Sequence, residues 1–223
     1  MIKNIVGFIA IFLPWRIKRW VFVYFWKYDI HPTAYIGLAW IYPKQLIMGE
    51  KSRIDHFTVA IHLDKLELSS SSFIGRSNWI TGFPTGTDSK HFSHQKERQS
   101  VLRIGNHSAI TKHHHIDCTN SVRIGNFVTI AGYQSQFLTH SIDVYENRQN
   151  SKPIVIGDYC FVSTNCVILG GAVLPSYSVL GAKSLLNKTF TEEWKLYAGA
   201  PAKMISDISK DAKYFSREVG YVY

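Results

Sequence analysis

Ten histidines and three cysteines are the side chains of this 223-residue sequence best suited to proton transfer, nucleophilic attack or metal binding. His140 closes an apolar segment, "FLTH", and opens a polar run, "SIDVYENRQNSK", before the chain returns to "PIVIG". A neutral imidazole suits proton abstraction from a hydroxyl near neutral pH. The same residue also suits a plain loop-root position, and its type alone does not choose. Asp143, Glu146 and Arg148 follow within the polar run. They are candidates for orienting the imidazole, holding an acceptor or anion, or simple solvation.

His113, His114 and His115 form a triplet. In an extended chain the first and third face one way and the second the other. No cysteine or carboxylate spacing completes a familiar ligand set, so no metal is expected. Cys118, Cys160 and Cys166 have no metal-ligand spacing, and their odd number argues against a disulfide framework. They read as structural thiols of a cytoplasmic protein.

The elements that must hold these residues follow a beat of six. Ile156, Val162, Ile168, Leu174, Leu180 and Leu186 recur at that spacing. Ile104, Ile110, Ile116 and Val122 repeat it, and Ile124 and Ile130 resume it after a slip of two residues. Leu68, Ile74 and Ile80 form another tract, with Met48, Ile54 and Ile36 before it. Neither the helical period nor strand alternation produces this pattern. One short strand and a corner per unit does, with one aliphatic side chain inward. Three units then close a triangular coil, and coils stack at about 4.8 Å into a parallel β-helix. The beat fails over residues 82–103 and 139–152. These are loops thrown out from a rigid scaffold, a common origin of binding surfaces.

The expected organisation is an N-terminal helical, amphipathic segment over 1–30, a β-helix over 31–188, and a C-terminal cap and tail over 189–223. In the first 28 residues, Trp15, Trp20 and Trp26 lie beside Arg16, Lys18 and Arg19, after Pro14. This segment reads as a cap on the coil end, as a peripheral membrane contact, or as both; no apolar run is long enough to span a bilayer. The net charge of +9 suits an anionic partner. No nucleic-acid module accompanies it, so no nucleic acid is expected.

The hexad beat, "THS" with its polar run, "KPIVIGDYCFVSTNCVILGGAVLPSYSVLGAKSLL" and "YAGAPAKMI" together resemble the hexapeptide-repeat acyltransferases, in particular their sugar O-acetyltransferase branch. The resemblance covers roughly residues 36–205. It implies a left-handed parallel β-helix, a homotrimer with sites between subunits, acetyl-coenzyme A as donor and a sugar or polysaccharide-precursor hydroxyl as acceptor. It implies that His140 is the general base. It carries cofactor contacts onto Phe161, Ser163, Gly181, Ala182, Lys183, Gly199 and Lys203, and an acceptor contact onto His113. Lys183 departs from the family pattern, which has a glycine there. Two other functions stay open at this point: N-acetylation of an amino sugar, and a non-enzymatic β-helix binding protein.

Overall fold

The computed structural model describes residues 2–222. Its centre is a parallel β-helix with three faces. The first face stacks seven parallel strands, from Asp29–Ile30 to Val173–Leu174. The second runs in parallel from Tyr35–Ile36 through Val179–Leu180 to Lys195–Gly199, and ends with the antiparallel strand Ala202–Asp207. The third runs from Trp40–Tyr42 to Leu185–Leu186.

The six-residue beat is the core. Val162, Ile168, Leu174, Leu180 and Leu186 are fully buried. Register stacks the beat into columns, such as Ile54 on Ile74, Ile110, Ile130, Val162 and Leu180. The slip of two residues has a simple cause. First-face strands send two side chains inward, as Leu102 with Ile104, Val122 with Ile124 and Ile154 with Ile156. Ile124 therefore belongs to the same strand as Val122 rather than to a new corner.

The corner between the first and second faces carries a ladder of rings. His107, Phe127, Tyr159, Tyr177 and Trp194 stack with centroid separations of 5.0, 4.7, 5.3 and 4.6 Å, nearly parallel. Each has a left-handed backbone, with φ of 56°, 54°, 55°, 56° and 59°. That conformation costs a non-glycine residue about 1–2 kcal/mol, and ring stacking at about 0.5–1.5 kcal/mol per pair offsets it. The C-terminal segment straps the ladder. Phe215 packs on Trp194 and Tyr177, and the Arg217 guanidinium lies over Tyr214, Tyr159 and Phe127.

Two helices, α1 (Ile2–Phe12) and α2 (Trp15–Tyr24), cover the first coil, with Pro14 at the N-cap of α2. Ala10 and Phe22 are fully buried there. Lys18 does not join an outward basic face: it is buried and donates to the Gly37 carbonyl at 2.7 Å. Burial lowers its pKa to about 8. Trp15 and Trp26 also pack inward, on Tyr35 and on Phe22 and Tyr42. At the other end the coil continues past residue 188. Lys195–Gly199 stacks on Val179–Leu180, and buried Tyr197 closes the column against Phe190.

Both breaks in the beat leave the corner between the third and first faces. The first ends at residue 100, because Val101–Ile104 is already a first-face strand. The second is an antiparallel hairpin, His140–Asp143 with Arg148–Ser151, and the coil resumes at Ile154.

Candidate active site

His140 sits where the third-face strand Gln136–Leu138 gives way to the hairpin. Beneath it in the stack runs His115–Asp117, with Asp117 paired in register to Leu138. That register brings a carboxylate to the imidazole. His140 Nδ1 lies 2.8 Å from Asp117 Oδ2. Thr139 donates to the same oxygen from its backbone N–H at 3.0 Å and its hydroxyl at 2.6 Å. Thr119 donates to Oδ1 from its N–H at 3.1 Å and its hydroxyl at 2.7 Å. The Asn120 N–H donates to Thr139 Oγ1, which fixes that hydroxyl's direction.

The electrostatics follow from this geometry. Burial pushes Asp117 toward the neutral acid, but hydrogen bonds from His140, Thr139 and Thr119 outweigh it and hold its pKa at about 2. The Asp117 bond raises the His140 pKa above its ordinary 6.5, against partial burial that lowers it. An ionised carboxylate only accepts, so Nδ1 carries the proton and the lone pair of neutral His140 is on Nε2. Among the described residues Nε2 has no hydrogen-bond partner. His140 lines a cleft of about 340 Å³ together with Thr139, Ser141, Asn150, Lys152, Gly170 and Asn187. Gly170 is required by close approach, since a Cβ there would meet the Thr139 carbonyl at 2.6 Å.

The first loop forms the site's other wall. The Phe92 ring stands edge-on to the His140 imidazole, with centroids 6.1 Å apart at 89°. Arg98 holds the loop from within. Its Nη1 donates to the carbonyls of Phe83 and Thr119 at 2.5 Å, its Nη2 donates to Pro84, and its guanidinium lies 4.8 Å over Phe92. Gln95 ties the two loops together through Asn150 and Ser151. A larger cleft of about 570 Å³ on the outer side of this loop, beside Arg123 and Pro153, does not include His140.

The groups expected from the polar run lie elsewhere. Asp143 and Arg148 are register partners three pairs out along the hairpin from His140–Ser151. Asp143 caps the turn by accepting from the N–H groups of Tyr145 and Glu146. None of Asp143, Glu146 and Arg148 bonds to His140; the orienting carboxylate is Asp117, from the preceding coil. His113 occupies the opposite corner, between the second and third faces, in a cleft of about 470 Å³ with Trp79, His115, Gln134 and Asn165. Within one chain it is a face's width, roughly 13 Å of extended backbone, from Asp117.

The expected cofactor residues gather near that same opposite corner. Phe161 lies on the second face, with Ser163 at its end. Gly181 lies against Ala198, and Lys183 (φ 57°) bonds from its N–H to the Thr164 carbonyl, with Ala182 between them. The N–H of Gly199 (φ 105°) donates to Ser184 Oγ, and Lys203 pairs with Ala198. Cys118, Cys160 and Cys166 are all buried and free, and burial raises each thiol's pKa. Among the described residues, no three His, Cys, Asp or Glu side chains converge as a metal site.

Three solved structures illustrate what the chain is similar to. It is 16% identical to the polysialic acid O-acetyltransferase OatWY, over 86% of this chain and 90% of that one, with a TM-score of 0.59. The fold is the left-handed parallel β-helix. AntD, an N-acyltransferase from Bacillus cereus solved with dTDP and coenzyme A, shares it at 13% identity over 90% and 92% of the two chains, with a TM-score of 0.52. A hexapeptide-repeat acetyltransferase from Vibrio cholerae O1 biovar eltor, solved with acetyl coenzyme A, is 29% identical with a TM-score of 0.46. That match covers 49% of this chain and 61% of the Vibrio chain, less than two thirds of its length. No protein-family model and no curated protein sequence matches the chain.

Proposed function

We propose that the protein is an acetyl-coenzyme A-dependent O-acetyltransferase acting on a sugar or polysaccharide-precursor hydroxyl. The observation that carries the reading is the Asp117–His140 pair, with Nε2 unpartnered and His140 lining a cleft between the hairpin root and the third face. Nε2 takes the acceptor hydroxyl proton as that oxygen attacks the thioester carbonyl. The tetrahedral adduct collapses, the carbon–sulfur bond breaks, and the coenzyme A thiolate takes the proton back from Nε2. The products are the ester and free coenzyme A, and no acyl-enzyme forms. Asp117 holds the tautomer and stabilises the transient imidazolium, as a carboxylate does in hydrolytic triads.

A homotrimer suits this arrangement. One chain separates the His140 corner from the Gly181–Lys183 corner by the width of a face, and a three-fold neighbour brings the two corners together. Lys183 and Lys203, with Gly199 between their strands, then supply charge and close backbone approach for the phosphate-bearing donor. His113 lies on that same corner, as an acceptor-side donor from the neighbouring subunit.

The test is mass spectrometry of a glycan panel incubated with the purified protein and acetyl-coenzyme A, alongside thiol release. An oxygen-linked acetyl group formed by wild type and lost in His140→Ala is expected. A nitrogen-linked product would replace O-acetylation by N-acetylation. Binding of coenzyme A without turnover on any acceptor would overturn the enzyme reading.

A further inference from the structure

We propose that the N-terminal end of the solenoid is a docking surface for an anionic lipid bilayer. The surface is made by what α1 and α2 leave unburied. α1 turns Gly7 and Ala10 to the coil, where Tyr42 packs on Gly7 and donates to its carbonyl. Its other side presents Ile5, Phe8, Ile9 and Phe12, at 54%, 59%, 54% and 65% exposure. These positions fall on one helical stripe. α2 repeats the division: Lys18 and Phe22 are buried, whereas Ile17, Trp20 and Tyr24 are 51%, 59% and 59% exposed. Phe8 touches Phe12, and Trp20 touches Tyr24, with ring centroids 5.6 and 5.3 Å apart. Isolated exposed apolar residues need no explanation, but this concentration on two adjacent helices marks an interaction site.

Charge selects the occupant. Residues 1–28 contain Lys3, Arg16, Lys18, Arg19 and Lys27 and no carboxylate; Asp29 is the first acid in the chain. Lys18 and Arg19 are committed to backbone carbonyls of the first coil, and Arg16 and Lys27 remain exposed. A second copy docked end to end would bring like charges together, with no carboxylate on either helix to pair them. Anionic headgroups pair with them, while the aromatic and aliphatic side chains enter the acyl boundary. Neither helix spans: at 11 and 10 residues each falls well short of the roughly 20 a crossing needs. They lie in the interface plane and hold the coil axis toward it.

This surface stands independently of acyl transfer, and its test reads lipid rather than turnover. Full-length protein is sedimented with phosphatidylcholine vesicles and with vesicles containing phosphatidylglycerol. Binding to the anionic vesicles at least about tenfold tighter, weakened by salt, is expected. Brominated lipid should quench part of the tryptophan fluorescence, and Trp20→Phe should remove that part. Each lost aromatic contact is worth roughly a tenfold change in partition, so the triple variant Phe8→Ser, Phe12→Ser, Trp20→Ser should leave the pellet. If the triple variant melts early, Arg16→Glu provides the same readout with the apolar face intact. Equal, weak sedimentation of wild type with both vesicle types would overturn the proposal. So would undiminished binding by the variants, or a stable end-to-end dimer that binds no lipid.

Discussion

Two corners of the same solenoid have opposite designs. The corner between the first and second faces repeats one solution on five successive coils, from His107 to Trp194. A ring sits on a left-handed residue, stacked on the ring below, and the C-terminal segment straps the outside. The corner between the third and first faces abandons repetition. It expels two loops, buries a carboxylate at about pKa 2 and leaves a half-exposed imidazole on top of it. A ladder gains stability from sameness, because every ring satisfies its neighbours. A reactive group needs an interruption, because only there does a side chain escape its stacked neighbours and face a cleft. The comparison predicts that the two corners separate stability from activity.

The largest effect is expected from His140→Ala. It should lower kcat by about 10²–10⁴-fold, the contribution of a general base, with a melting temperature close to wild type. Steady-state kinetics alongside calorimetry checks both halves. Next comes the ladder. Tyr177→Ala removes a ring stacked on both Tyr159 and Trp194. A loss of about 2 kcal/mol is expected, lowering Tm by roughly 4–8 °C in a chain of this size, while kcat per folded molecule holds. If Tyr177→Ala also abolished turnover, the corners would not be separable. Phe92→Leu keeps much of the volume of the wall beside His140 but removes the edge that meets the imidazole. A kcat about tenfold lower is expected, with KM for acetyl-coenzyme A unchanged. The smallest effect belongs to the hairpin tip. Glu146→Ala with Arg148→Ala should change kcat by less than about twofold, as surface positions do.

The six-residue beat was readable because each strand needs one inward side chain, and that requirement is local. The two-residue slip was visible but not interpretable, since only the stack reveals that first-face strands bury two residues. His140 was legible as a histidine at the root of the excursion, just after the beat fails. Its partner was not, because the polar run after it drew attention to Asp143 and Glu146, whereas the carboxylate comes from the coil beneath. The signal was present: aligning Ile116 with Phe137 in the beat places Asp117 beside Leu138, two residues from His140. The ladder also had a signal. His107, Phe127, Tyr159 and Tyr177 each follow an inward aliphatic by three residues. Phe92, Gln95 and Arg98 had none, for their roles depend on how one loop folds against another.

The central claim is that Asp117 tunes and holds His140 as the base. The pH dependence of kcat/KM in wild type and Asp117→Asn tests it most directly. The base works neutral, and the Asp117 bond raises its pKa, so the acidic limb in wild type should fall above 6.5. Removing the carboxylate's charge removes that rise. In Asp117→Asn the limb should therefore move to lower pH while the plateau rate falls, because the tautomer is no longer held. A limb that stays in place in Asp117→Asn, with an undiminished plateau, would contradict the assignment.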